Sequence, residues 1–138
     1  IGNLVVLDYD TQFTAGLDGH TAQVNSVSLS PDGRWLFSAS DDHTVRIWDL
    51  ADNSCRNVLK GHVGRVRDVS ATQALIASVA DDATLRLWDV EAGSLIATFT
   101  GESPFLTCAI SSDGSRIVAG DRQGHVHALN RESENERG

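Results

Sequence analysis

The chain has 138 residues, 41% of them hydrophobic and 22% charged, which is enough for one ordinary globular domain and too little for two comfortable ones. Nineteen acidic residues against eleven basic ones leave a net charge of -8, which argues against a nucleic-acid binder that works by neutralising phosphates. No apolar run approaches the ~18 to 20 residues of a membrane span. Cys55 and Cys108 make neither a disulfide framework nor a zinc site, and so low a count fits a reducing, cytoplasmic setting. No methionine occurs and residue 1 is Ile, so the chain is expected to be an excerpt of a longer protein or a processed product.

In chain order, Leu4-Val5-Val6-Leu7-Asp8 comes first, the fragment of a unit that recurs downstream. Gly19-His20 then opens a full unit with four short β-prone runs at 24–29, 35–39, 45–48 and 55–59, punctuated by turn residues such as Ser30-Pro31-Asp32-Gly33. Gly61-His62 opens a second, with runs at 66–69, 75–79, 85–88 and 95–99. A third holds runs at 106–110, 116–119 and 126–129, with Ser111-Ser112-Asp113-Gly114 in the turn. Ser38 to Asp49 aligns with Ser78 to Asp89 without a gap at an offset of 40, and Leu7, Trp48, Trp88 and Leu129 follow one another at steps of 41, 40 and 41. The second run of each unit is the most continuously apolar and is expected to be buried on both faces. The fourth mixes polar with apolar residues, as an outer edge strand should. The expected fold is therefore all-β, with blades of four antiparallel strands arranged radially.

The period, the Gly-His openings and the Trp-Asp closes at Trp48-Asp49 and Trp88-Asp89 resemble the WD-repeat β-propeller family over residues 2–130. The passage from Ile117 to His127 is similar, more narrowly, to the last blade of bacterial propellers fused to signal-transducing STAND ATPases. The chain would then hold a blade fragment at 1–18, repeats at about 19–60, 61–100 and 101–130, and a polar tail at 131–138, expected to be disordered. About three repeats cannot close a ring, so the remaining blades would come from the same parent chain or from other copies.

The resemblance implies a hydrogen-bonded tetrad in each of two blades: His20, Ser38, Asp42 and Trp48, then His62, Ser78, Asp82 and Trp88. Ser, His and Asp also suggest a catalytic triad, but the set occurs twice and no strained nucleophile elbow carries the Ser, so no enzyme is expected. The family's partner contacts, carried over by position, fall on Gln23, Asn25 and Asp41, on Arg65, Arg67 and Asp81, and on Phe105, Thr107 and Arg122. Arg65, Arg67 and Phe105 lead that set, since Arg and aromatic residues dominate interface energy. Trp35, which has no aromatic counterpart in the other repeats, is a further surface candidate.

Other constellations read as structural. Asp41 and Asp81 are expected to be solvated turn carboxylates, and His125 with His127 supplies two metal-ligand types without a third. Lys60 lies outside any phosphate-binding loop, so neither metal nor cofactor is expected. The third repeat carries Glu102, Ala119, Gln123 and Leu129 in the tetrad positions and so lacks a tetrad. Ubiquitin-ligase adaptors of the family place an Arg two residues after Trp-Asp, where this chain has Ala51 and Glu91. The function expected is a non-catalytic scaffold for a protein or peptide partner, with neither nucleic acid nor membrane involved. It would be the C-terminal sensor or regulatory propeller of a larger signalling protein, or else a fragment that closes a ring by assembling with copies of itself.

Overall fold

The computed structural model describes residues 2–131, which form antiparallel β-strands and, among the described residues, no helix, hence none long and apolar enough to cross a membrane. β1 (Leu4–Asp8) and β2 (Phe13–Leu17) make a hairpin. β3 (Val24–Leu29), β4 (Trp35–Ser40), β5 (Val45–Asp49) and β6 (Ser54–Leu59) form the first four-stranded sheet, each strand pairing with the next. β7 (Val66–Ala71), β8 (Leu75–Ala80), β9 (Thr84–Asp89) and β10 (Leu95–Thr100) repeat it. β11 (Phe105–Ile110), β12 (Arg116–Asp121) and β13 (Val126–Asn130) make a three-stranded sheet. These are propeller blades, and they do not close a ring.

The core lies in the seams between blades. Phe37, Ile47 and Leu59 of the first blade meet Val66, Ile76, Trp88 and Val90 of the second, while Val79 and Leu85 of the second meet Phe105, Cys108 and Ile117 of the third. The opening hairpin contributes Leu4 and Leu17 against Leu36 and Trp48. Trp48 and Trp88 therefore pack toward the blade before their own. β4 and β8 are covered on both sides and buried almost throughout, as their apolar runs require. β12 instead alternates exposed and buried residues, because a neighbouring blade covers only one of its faces. Leu129 stands where the second blade has Trp88, and a cleft of about 540 Å3 opens there, lined by Leu85, Leu87, Phe99, Ile117 and Leu129.

The innermost strands β3, β7 and β11 lie side by side, and Asp68 on β7 ties all three. Its carboxylate accepts from Ser26 Oγ at 2.6 Å on one side, and from Thr107 Oγ1 at 3.1 Å and the Cys108 N–H at 2.9 Å on the other. Each inner strand also slips register near its start, between Val24 and Ser26, Val66 and Asp68, and Phe105 and Thr107. Asn25, Arg67 and Leu106 are therefore bulge residues without a cross-strand partner, and a bulge re-aims its side chain. Of the expected polar tail, residues 132–138 lie outside the described residues; Arg131 donates its N–H to the Ser115 carbonyl at 2.8 Å.

Candidate functional site

The four residue types of each tetrad meet in a chain of hydrogen bonds. In the first blade, Trp48 Nε1–H donates to Ser38 Oγ at 2.8 Å, the Ser38 hydroxyl to His20 Nε2 at 2.6 Å, and His20 Nδ1–H to Asp42 Oδ2 at 2.7 Å. The second blade repeats this through Trp88, Ser78, His62 and Asp82 at 2.8, 2.8 and 3.0 Å. The direction follows from charge. Burial pushes the pKa of both His20 and His62 down against the pull of their aspartates, so each ring is neutral with one N–H. A carboxylate can only accept, so that N–H is on Nδ1 and Nε2 is left to accept from the serine.

Burial pushes the Asp42 carboxyl up, but hydrogen bonds from Thr44, His20 and the Thr21 N–H outweigh it and hold the group at about 2. Asp82 is lowered for the same reasons, by Thr84, His62 and the Val63 N–H acting against its burial. The glycine before each histidine is set by a close approach. A Cβ on Gly19 would stand 2.5 Å from Arg46 Nη1 and 3.0 Å from the Trp48 ring. Ser38 and Ser78 are fully buried beneath their indoles, with the hydroxyl proton committed to the imidazole. The network clamps a loop, a turn and two strands together, and presents no nucleophile to a substrate.

The third blade solves the same turn differently, which sequence reading missed. Asp121 Oδ1 accepts from the N–H groups of Gln123 and His125, both at 2.9 Å, and Oδ2 accepts from His127 Nε2 at 2.9 Å. The His127 bond leads the interactions that hold Asp121 well below the usual carboxylate range. His127 also stands edge-on to Phe105, with ring centroids 5.3 Å apart. His125 and His127 thus converge on one carboxylate, and among the described residues no cluster of three or more such side chains is arranged to hold a metal ion.

The turns carrying the tetrad aspartates form one rim of the blades, and most of the partner candidates gather there. Asn25 Nδ2 donates to Asp41 Oδ1 at 2.7 Å and to the Val66 carbonyl at 2.9 Å, while Gln23 donates to Asn25. Arg67 grips Asp81 at two points, 2.8 and 2.7 Å, and is the leading influence that lowers the Asp81 pKa. Arg65 reaches Asp41 only at 3.9 Å and Arg122 reaches Asp81 only at 3.6 Å. Asp41 and Asp81 are therefore partnered side chains, not the freely solvated carboxylates expected.

Two candidates move. Phe105 is fully buried in the second seam and leaves the set of exposed contacts. Register explains it: Phe105 pairs with Asp121 as Val66 pairs with Ala80, so Phe105 is the core residue and the third repeat is one position shorter before its first strand. Thr107 is exposed, but it belongs to the Asp68 tie, and the bulge position corresponding to Asn25 and Arg67 is Leu106. Trp35 lies at the opposite end of the blade, half-buried, with Arg34 and Arg56 stacked 4.7 and 4.8 Å from its ring.

The repeated sheets, the duplicated tetrads and the exposed turn rim define a run of β-propeller blades. The WD domain, G-beta repeat, matches residues 11–49, and the TEP-1 C-terminal beta-propeller matches residues 62–130. The chain belongs to the WD-repeat β-propeller family. It is 38% identical over 112 residues to pre-mRNA-processing factor 19 of Mus musculus, an alignment covering 78% of this chain and 22% of that protein. It is 51% identical over 53 residues to an F-box protein of Saccharomyces cerevisiae, covering 38% and 8% of the two. A probable E3 ubiquitin ligase complex SCF subunit, sconB of Emericella nidulans, is 46% identical over 61 residues, covering 44% and 9%. The chain spans less than a quarter of the length of each.

Proposed function

We propose that the chain is a non-catalytic scaffold that presents its turn rim to a protein or peptide partner. The observation that carries the reading is a division of labour: the tetrads are spent on holding the blades, while Gln23, Arg65 and Arg122 stand exposed on the turns beside them. Family membership supports it, and the net charge of -8 favours protein over nucleic acid as the partner. Within that reading, the chain would be the C-terminal sensor or regulatory propeller of a larger signalling protein, a role supported by the likeness of residues 117–127 to the last blade of STAND-type propellers. A cytoplasmic setting fits the free thiols of Cys55 and Cys108.

A photo-reactive residue placed at Gln23 should cross-link a protein partner in cells, whereas one at Thr98 on the outer strand β10 should not. Equal cross-linking from both positions, or from neither, would overturn the reading. The β13 edge, which pairs with no fourth strand among the described residues, favours a second reading in which copies of the chain complete one another's blades. Sedimentation decides it: a defined dimer or trimer supports self-assembly, and a monomer removes it.

A further inference from the structure

Three guanidiniums, those of Arg65, Arg67 and Arg122, surround two carboxylates, Asp41 and Asp81, and all three act on Asp81. They are not equivalent. Arg67 is locked by its two-point pair and its side chain is only 29% exposed. Arg65 and Arg122 make single long contacts of 3.9 and 3.6 Å, beyond hydrogen-bond length, with side chains 58% and 56% exposed. Asn25 already occupies the other oxygen of Asp41, and Arg67 takes both oxygens of Asp81. The two carboxylates within reach therefore cannot complete the two outer guanidiniums, and the neighbouring Asp42, Asp82 and Asp121 are already engaged within their own turns.

We infer that the partner is an acidic peptide segment whose carboxylates take up Arg65 and Arg122; this deepens the scaffold reading above and rests on it. A guanidinium fork matches a carboxylate at two points, as Arg67 and Asp81 already demonstrate on this rim, and such charge-assisted pairs are the strong ones. The two arginines stand on separate blades on either side of the fixed Arg67–Asp81 ion pair, so their spacing is set by the blades while their exposed side chains stay free to turn toward a ligand. Asp41 acts as a weak internal competitor for Arg65, displaced when a better-placed carboxylate arrives.

The test is fluorescence anisotropy of the full chain with a short labelled peptide of alternating Glu and Ser, its Gln counterpart, and a single-stranded oligonucleotide of matching charge. The Glu peptide should bind at least about tenfold tighter than the Gln peptide and weaken as salt rises. Arg65→Gln combined with Arg122→Gln should remove that preference, both side chains being too exposed to threaten the fold, and the double Lys variant should keep part of it. Asp41→Asn should tighten the Glu peptide, since it removes the competing charge. Equal binding of the two peptides, binding of neither, an unchanged double variant or an oligonucleotide bound as tightly would each overturn the inference. The cross-link at Gln23 is indifferent to peptide charge, so its persistence beside any of those outcomes leaves the scaffold reading standing.

Discussion

His127 and Asp121 are joined by a 2.9 Å hydrogen bond that takes over, in the third blade, the turn clamp that buried tetrads supply in the first two. The carboxylate has moved to the near side of the turn and the histidine onto a strand. If this pair is the third blade's clamp, Asp121→Ala frees the N–H groups of Gln123 and His125, and backbone amides of β12 and β13 should exchange faster while those of β4 and β8 do not. Hydrogen exchange read by mass spectrometry checks this. Uniform loss of protection across all three sheets would contradict it.

Ser38→Ala should destabilise the first blade more than the loss of a hydroxyl suggests. It leaves His20 Nε2 and the Trp48 N–H both buried without a partner, at a cost of about 3 kcal/mol. Ser78→Ala should cost a similar amount at the homologous site. Urea unfolding followed by tryptophan fluorescence measures both, and a change below about 1 kcal/mol would show that the serines are not the hinges of their networks.

Acid should weaken the fold in two stages. The folded-state pKa values of His20 and His62 lie below 6.5, so the unfolded chain takes up protons first and stability declines as pH falls below that value. Asp42 and Asp82 are also depressed, from 3.8, and Asp42 reaches about 2, so their contribution persists above 3.8 and is lost below it. The thermal midpoint should therefore fall between pH 7 and 5, and fall further below pH 4. A midpoint that rises on acidification to pH 5 would mean that the imidazoles are charged in the native state.

Asp68→Ala should loosen blade from blade without unravelling any single sheet. It removes the acceptor shared by Ser26, Thr107 and the Cys108 N–H on neighbouring blades, and within its own strand it unpairs the Val69 N–H, bonded to Oδ1 at 2.9 Å. Unfolding monitored by far-ultraviolet circular dichroism and by tryptophan fluorescence should cease to coincide. Coincident transitions with a merely lowered midpoint would assign Asp68 to one blade alone.

Much of this architecture was legible in the sequence, and the failures have physical causes. A step of forty residues fixed the sheets because each blade must bury the same positions against its neighbours, and Trp48 and Trp88 marked the third strands. β2 was missed because its residues carry no distinctive run and its pairing with β1 creates it. Phe105 was misplaced because Glu102 replaces the histidine from which positions are counted, and the loop before the strand is one residue shorter. The Asp121–His127 pair and the Asp68 tie left no repeated signature. One is a single-copy substitute and the other forms across three blades, so only the assembled fold brings their atoms together.

The bulge at the start of each inner strand separates what must stay from what can vary. Asn25, Arg67 and Leu106 are an amide, a cation and an aliphatic at one equivalent place, while the paired positions beside them keep their cross-strand register. A side chain outside the ladder takes no part in the strand pairing, although Asn25 and Arg67 make their own bonds, to Asp41 and the Val66 carbonyl and to Asp81. The molecule thus carries, on its innermost strands, a row of side chains held outside the ladder, and under the scaffold reading proposed above a change at the exposed one, Leu106, would alter the rim's chemistry while the strand pairing beside it persists.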